Sequence, residues 1–99
     1  MNPQPKQKPL RSDKVREWFR GQPCFKCGSV NTNGHHEPLN GHGMASKGPD
    51  DQQVPLCFVC HRLRHDIGRM PFWSRFLPRG NWRDVVKHYQ AKCYEELNL

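Results

Sequence analysis

The sequence predicts a small α+β fold whose thin core is stapled by a metal. Three observations predict it. Two Cys-x-x-Cys pairs, Cys24–Cys27 and Cys57–Cys60, share the spacing of paired metal ligands. Apolar residues recur at helical spacing near both ends of the chain. The stretch between is rich in Gly, Asn, His and Pro, and leaves room only for short strands.

The chain has 99 residues, of which 34% are hydrophobic, and its mean hydropathy is −0.96. So polar a chain usually needs a disulfide or a metal to hold its core. The formal net charge is +7 and the pI is about 9.5, a balance that favours an anionic partner, nucleic acid above all. The opening MNPQPKQKPL offers no apolar run for an export signal or a membrane span. The expected setting is the cytoplasm, with no membrane partner. Thiols stay reduced there and bind metal rather than pair with one another.

Residues 1–10 are expected to form a flexible basic tail, and residues 11–99 a single domain. Ser12 or Asp13 caps a first helix to about Arg20, with Glu17 supporting its start. Val15, Trp18 and Phe19 share one face of it, and Gly21 and Pro23 end it. Short strands are predicted near Asn33–Pro38 and Gln53–Leu56, joined by a loop long enough to suggest function. A helix begins near Phe58, runs toward Ile67 and closes at Gly68. A short helix covers Pro71–Leu77. Asn81 caps a last helix over about 81–97, where Trp82, Val85, Val86, Tyr89, Cys93 and Leu97 recur at helical spacing. That stripe makes Cys93 a buried hydrophobe rather than a ligand. Phe72, Trp73 and Phe76 read as core, with base stacking as the alternative. His88 reads as surface.

Cys24, Cys27, Cys57 and Cys60 are expected to converge on one structural Zn²⁺ in tetrahedral geometry. Four histidines then remain near by. Residues on a helix turn about 100° each, so His61 points away from Cys60. His61 and His65, at i and i+4, lie within about 40° of each other and can bind one metal side by side. His35 and His36 are adjacent in a candidate strand, so they point to opposite faces. One can be a ligand while the other stands across a reacting bond. That arrangement suits metal-assisted hydrolysis, in which a neutral imidazole takes a proton from water.

CFKCG, then GHHEPLNGHG, then KGPDDQQVPLCFVCHRLRH resembles an HNH nuclease of the ββα-metal class with a zinc-knuckle support. The resemblance covers about residues 24–68 and is nearest to small phage and prophage HNH proteins, RecA-dependent nucleases included. It implies two antiparallel strands and a helix gripping one divalent ion. It further implies that His36 is the general base, and that His35, His61 and His65 are ligands of a catalytic divalent metal. That metal would be Mg²⁺ or Mn²⁺, with Ni²⁺ and Zn²⁺ as alternatives. The central motif residue is usually Asn. Asp50 occupies the matching place here, with Asp51 and Gln52 close beside it. That residue pins the loop holding the base or helps to bind the metal.

Lys47, in the Gly-rich loop, and Arg62, Arg64 and Arg69, around the metal helix, are the expected phosphate contacts. Arg11, Lys14 and Arg16 add charge on the first helix. His42 reads as loop filler, with substrate contact as its alternative. No pattern reads a base sequence. The leading expectation is a phage- or prophage-encoded DNA endonuclease or nickase of low sequence specificity, acting in a bacterial cytoplasm. A recombination or phage protein is a possible further partner, and the oligomeric state is left open. The alternative is a non-catalytic zinc-knuckle DNA-binding protein, and a third reading is a protein-interaction module. The His-His pair discriminates among them, because a binding module needs no histidine opposite a second metal.

Overall fold

Ser12 starts the first helix. Its backbone is extended and its Oγ accepts the Val15 amide at 3.2 Å. Helix α1 spans Asp13–Arg20 and buries Val15 and Phe19; Asp13 sits in the positive first turn and pairs with Arg16. The computed structural model describes residues 10–39 and 48–99. Within them follow β1 (Thr32–His36), β2 (Gln53–Cys57), α2 (Phe58–Ile67), α3 (Arg69–Phe76) and α4 (Trp82–Leu97). The architecture is small α+β. Leu10 apart, the expected tail lies outside the described residues, as do Lys47 and His42.

β1 and β2 pair antiparallel, from Thr32 opposite Cys57 to His36 opposite Gln53. β2 is buried along its whole length, with α1 and α4 packed on it. Its other edge is also used: the Phe25 amide donates to the Pro55 carbonyl at 2.8 Å. This binds the first cysteine pair to the strand that ends in the second. Gly34 permits a close approach in β1, because a Cβ there would overlap the Gln53 carboxamide. Gln53 Nε2 in turn donates to the Asp50 carbonyl.

Several boundaries differ from the sequence reading; β2 runs one residue further, to Cys57, and α3 stops at Phe76 rather than Leu77. β1 starts at Thr32, whose Oγ1 donates to the carbonyls of Arg20 and Gln22 and fixes the strand to the end of α1. It ends at His36, two residues before Pro38, which has no amide to donate. α3 starts at Arg69 rather than Pro71, because first-turn amides have no helical partner and a proline there removes nothing. The other helices follow their signals. Asn81 accepts from Arg83 N at the start of α4, and Gly68 ends α2 with φ 88°.

The main core joins Val54, Leu56, Phe72, Trp73, Trp82 and Val86 to three of the cysteines. A second cluster packs Val15, Phe19 and Cys93 where α1 meets α4. Cys93 is thus an apolar core residue, and Phe72 and Trp73 are core rather than stacking platforms. Among the described residues no helix is long and apolar enough to cross a membrane.

Candidate functional site

The first cysteine pair forms a tight knuckle. Gly28 N donates to Cys24 O at 2.9 Å and Cys24 N to Ser29 O at 2.8 Å. Gly28 takes φ 76°, which side chains with a Cβ rarely adopt. Cys57 ends β2 and Cys60 lies in the first turn of α2. The four sulfurs come within 4.8 Å of one another, with Cys27 and Cys57 at 3.5 Å and no disulfide. Zn–S bonds of about 2.3 Å give a tetrahedron edge of about 3.8 Å, so the group fits a metal such as zinc. Burial works against the Cys24 thiolate. Backbone amides of Cys27, Cys57 and Lys26 donate to it and bring its pKa down to about 7.

One residue beyond Cys60 the same helix presents a second group. His35, His61 and His65 bring ring nitrogens within 4.8 Å of one another. The Nε2 atoms of His61 and His65 are 3.0 Å apart. A tetrahedral site with Zn–N bonds of 2.0–2.1 Å has edges of about 3.3 Å. The donor set and its spacing therefore fit a divalent ion. Burial lowers the His35 pKa, although Glu37 opposes it. Burial, together with the neighbouring charges of His35 and His65, brings His61 down to about 4. Both rings are neutral near pH 7, as metal ligands must be.

His36 points the other way, as alternation along β1 requires. Its Nε2 meets Asp50 Oδ1 at 2.9 Å. Asp50 Oδ2 also accepts from Ser12 N and Arg16 Nη1, each at 2.8 Å. Burial raises the Asp50 pKa, but His36, the Ser12 amide and Arg16 outweigh it and hold the carboxyl below its usual range. Asp50 is therefore an ionised acceptor, so His36 donates to it through Nε2, and in the neutral tautomer that makes this bond the lone pair is on Nδ1. The neighbouring Asp51 turns to α4 and accepts from Gln90 and Tyr94. Gln52 Oε1 accepts from Leu39 N at 2.9 Å. Of the three candidates for the central position, only Asp50 touches His36. A cleft of about 380 Å³ is lined by all four histidines together with Arg16 and Arg20.

Glu37 escaped the sequence reading. It is 0% exposed and accepts five hydrogen bonds from four residues. Arg64 binds it through Nε and Nη2, each at 2.9 Å, and Arg69 through Nε at 2.8 Å. Trp73 Nε1 and His35 Nε2 complete the set at 3.1 and 3.2 Å. Burial raises its pKa, but His35, Arg64 and Arg69 drive it far below the usual carboxylate range. The signal that could have found it is the His-x-Glu spacing, which places both residues on one face of a strand.

Arg64 and Arg69, expected as phosphate contacts, bind Glu37 in the structure. Both guanidinium groups turn inward, because a buried carboxylate must be paired. Their side chains are only 11% and 18% exposed. Arg62 does face solvent, with Asp66 loosely paired at 3.9 Å. His88 is exposed, as expected.

Fold and site together define a small α+β protein with a four-cysteine group able to hold a metal such as zinc. The chain belongs to the family described as Protein of unknown function (DUF968), whose model matches residues 2–71. That span contains the four cysteines, the three clustered histidines, Asp50 and Glu37. No curated protein and no solved structure matches the chain.

Proposed function

We propose that the chain is a metal-dependent endonuclease or nickase of the HNH, ββα-metal type that hydrolyses DNA phosphodiester bonds. One observation carries the reading: a three-histidine ligand group and a His–carboxylate pair open on the same basic cleft. The two antiparallel strands followed directly by α2 supply the ββα order. His35, His61 and His65 would hold a divalent ion such as Mg²⁺ or Mn²⁺, which supplies Lewis-acid charge at phosphate oxygens.

His36 Nδ1 takes the proton of the attacking water while the water oxygen bonds to phosphorus and the P–O ester bond breaks, the departing sugar oxygen taking a proton from solvent water. Asp50 holds the imidazole in register and stabilises the imidazolium that forms. Arg20 in the cleft and Arg62 on α2 give contacts to phosphate that carry no sequence information. Binding and cleavage therefore fall steeply with salt. The Cys24, Cys27, Cys57, Cys60 group holds structural zinc and locks β2 and the start of α2 to the knuckle.

The test is supercoiled plasmid incubated with Mg²⁺, Mn²⁺, Ni²⁺ or EDTA, beside His36→Ala. The expected result is metal-dependent nicking or linearisation that disappears in the variant, with fold and DNA affinity retained. Equal cleavage by the variant would remove His36 from the chemistry. Absence of cleavage with every metal, including on branched DNA and RecA filaments, would favour the non-catalytic DNA-binding reading.

A further inference from the structure

We propose that Glu37 is a positioning residue that sets the tautomer of His35, so that this ring presents Nδ1 to the three-histidine cluster while His61 and His65 present Nε2. Arg64 Nε and Nη2, Arg69 Nε and Trp73 Nε1 can only donate, and all four point at the Glu37 carboxylate. A carboxyl proton would face one of these N–H groups, so Glu37 is acceptor-only. Any further group that touches it must donate. His35 Nε2 touches it at 3.2 Å and therefore bears the hydrogen. In the neutral ring the lone pair is left on Nδ1.

The three rings converge, with His35 centroids 4.7 Å from His61 and 5.3 Å from His65. His61 and His65 face each other through Nε2 at 3.0 Å. With His35 Nε2 given to Glu37, the ligand set would be mixed, one Nδ1 and two Nε2. A carboxylate behind a ligating histidine fixes ring orientation and raises ligand basicity. Glu37 is in turn immobilised by α2 and α3, so the strand ligand is aimed by the helices it faces.

The metal half of this inference rests on the proposed reading of the cluster; the tautomer half does not. The experiment is long-range ¹H–¹⁵N correlation of histidine rings in ¹⁵N-labelled protein carrying one equivalent of Zn²⁺ in the cysteine group. His35 is expected as the Nε2–H tautomer. A second equivalent of Zn²⁺ should then shift His35 Nδ1 together with Nε2 of His61 and His65. An Nδ1–H tautomer for His35, or a zinc shift at its Nε2, would overturn the proposal. If the second zinc moves none of the three rings, the metal reading falls, and the first spectrum still decides the tautomer. Glu37→Gln, which can donate as well as accept, should yield mixed tautomers and weaken the second zinc about 10–100-fold. Glu37→Asp should restore the single tautomer. If Glu37→Gln does not fold, the wild-type spectra alone carry the decision.

Discussion

Asp50→Asn separates the geometry seen here from the role usual in the HNH motif. Asn commonly stands at the motif's centre, so a loop-pinning role predicts that the exchange is harmless. The hydrogen bonds predict otherwise. Asp50 Oδ2 faces two donors, Ser12 N and Arg16 Nη1, each at 2.8 Å, while Oδ1 meets His36 at 2.9 Å and the Arg11 guanidinium at the longer 3.6 Å. An amide has one acceptor oxygen, and it settles against the two donors. The NH₂ group is then turned on His36 Nε2, which must accept. The ring proton moves to Nδ1, and the lone pair needed to take a proton from water is lost. Fold stability should fall only by about 1–3 kcal/mol, the scale of a charge-assisted hydrogen bond lost from one site. On the proposed nuclease reading, activity should fall by about 10²–10⁴-fold, as expected when a general base is held in the wrong tautomer. The assay is the initial rate of plasmid nicking at pH 7 and low salt, with urea denaturation of the same preparations. A variant that folds normally and nicks within about threefold of wild type would refute the reasoning.

Three other outcomes are expected. Cys60→Ser should bind one zinc fewer by mass spectrometry and lose cooperative thermal unfolding, because Cys60 sits in the main core beside Leu56 and Trp73. In protein lacking metal at the imidazole cluster, His61 with its pKa lowered to about 4 gives stability that is present above the ordinary value of 6.5 and lost as pH falls toward 4. Urea titrations of wild type and His61→Gln should therefore differ in slope within that window and run parallel above pH 7; equal slopes would remove the His61 contribution. Gly34→Ala should destabilise by about 1–3 kcal/mol and loosen Asp50, because the added methyl displaces the Gln53 carboxamide that binds the Asp50 carbonyl; nicking should drop with it, and an unchanged melting curve would contradict the close packing.

Much of the fold could be read because its signals are local. Ser12 and Asn81 cap their helices, Gly68 ends one, and the stripe from Trp82 to Leu97 lies along α4. The cysteine spacings and the i, i+4 histidines also act within one turn. What could not be read depends on distant partners. Asp50 and Asp51 are adjacent and alike, and only the placement of α1 and α4 sends one to His36 and the other to Tyr94. Arg64 and Arg69 resemble any solvated basic face until Glu37, 27 and 32 residues away, is found between them. The start of α3 was hidden by Pro71, which reads as a boundary but is accommodated in a first turn.

Glu37 also bears on how the family can diverge. One carboxylate answers two guanidinium groups, an indole and an imidazole, so its loss alone strands buried charge, at a cost of about 3–5 kcal/mol. Exchange of the whole buried ionic group for apolar side chains carries little or no such penalty. Positions 37, 64 and 69 are therefore expected to covary across related sequences, changing as a set or not at all. On the proposed reading, a lineage that made that exchange would keep its fold and lose the aim of its strand histidine in the same step, so loss of the proposed chemistry would come as a jump rather than a gradual decay.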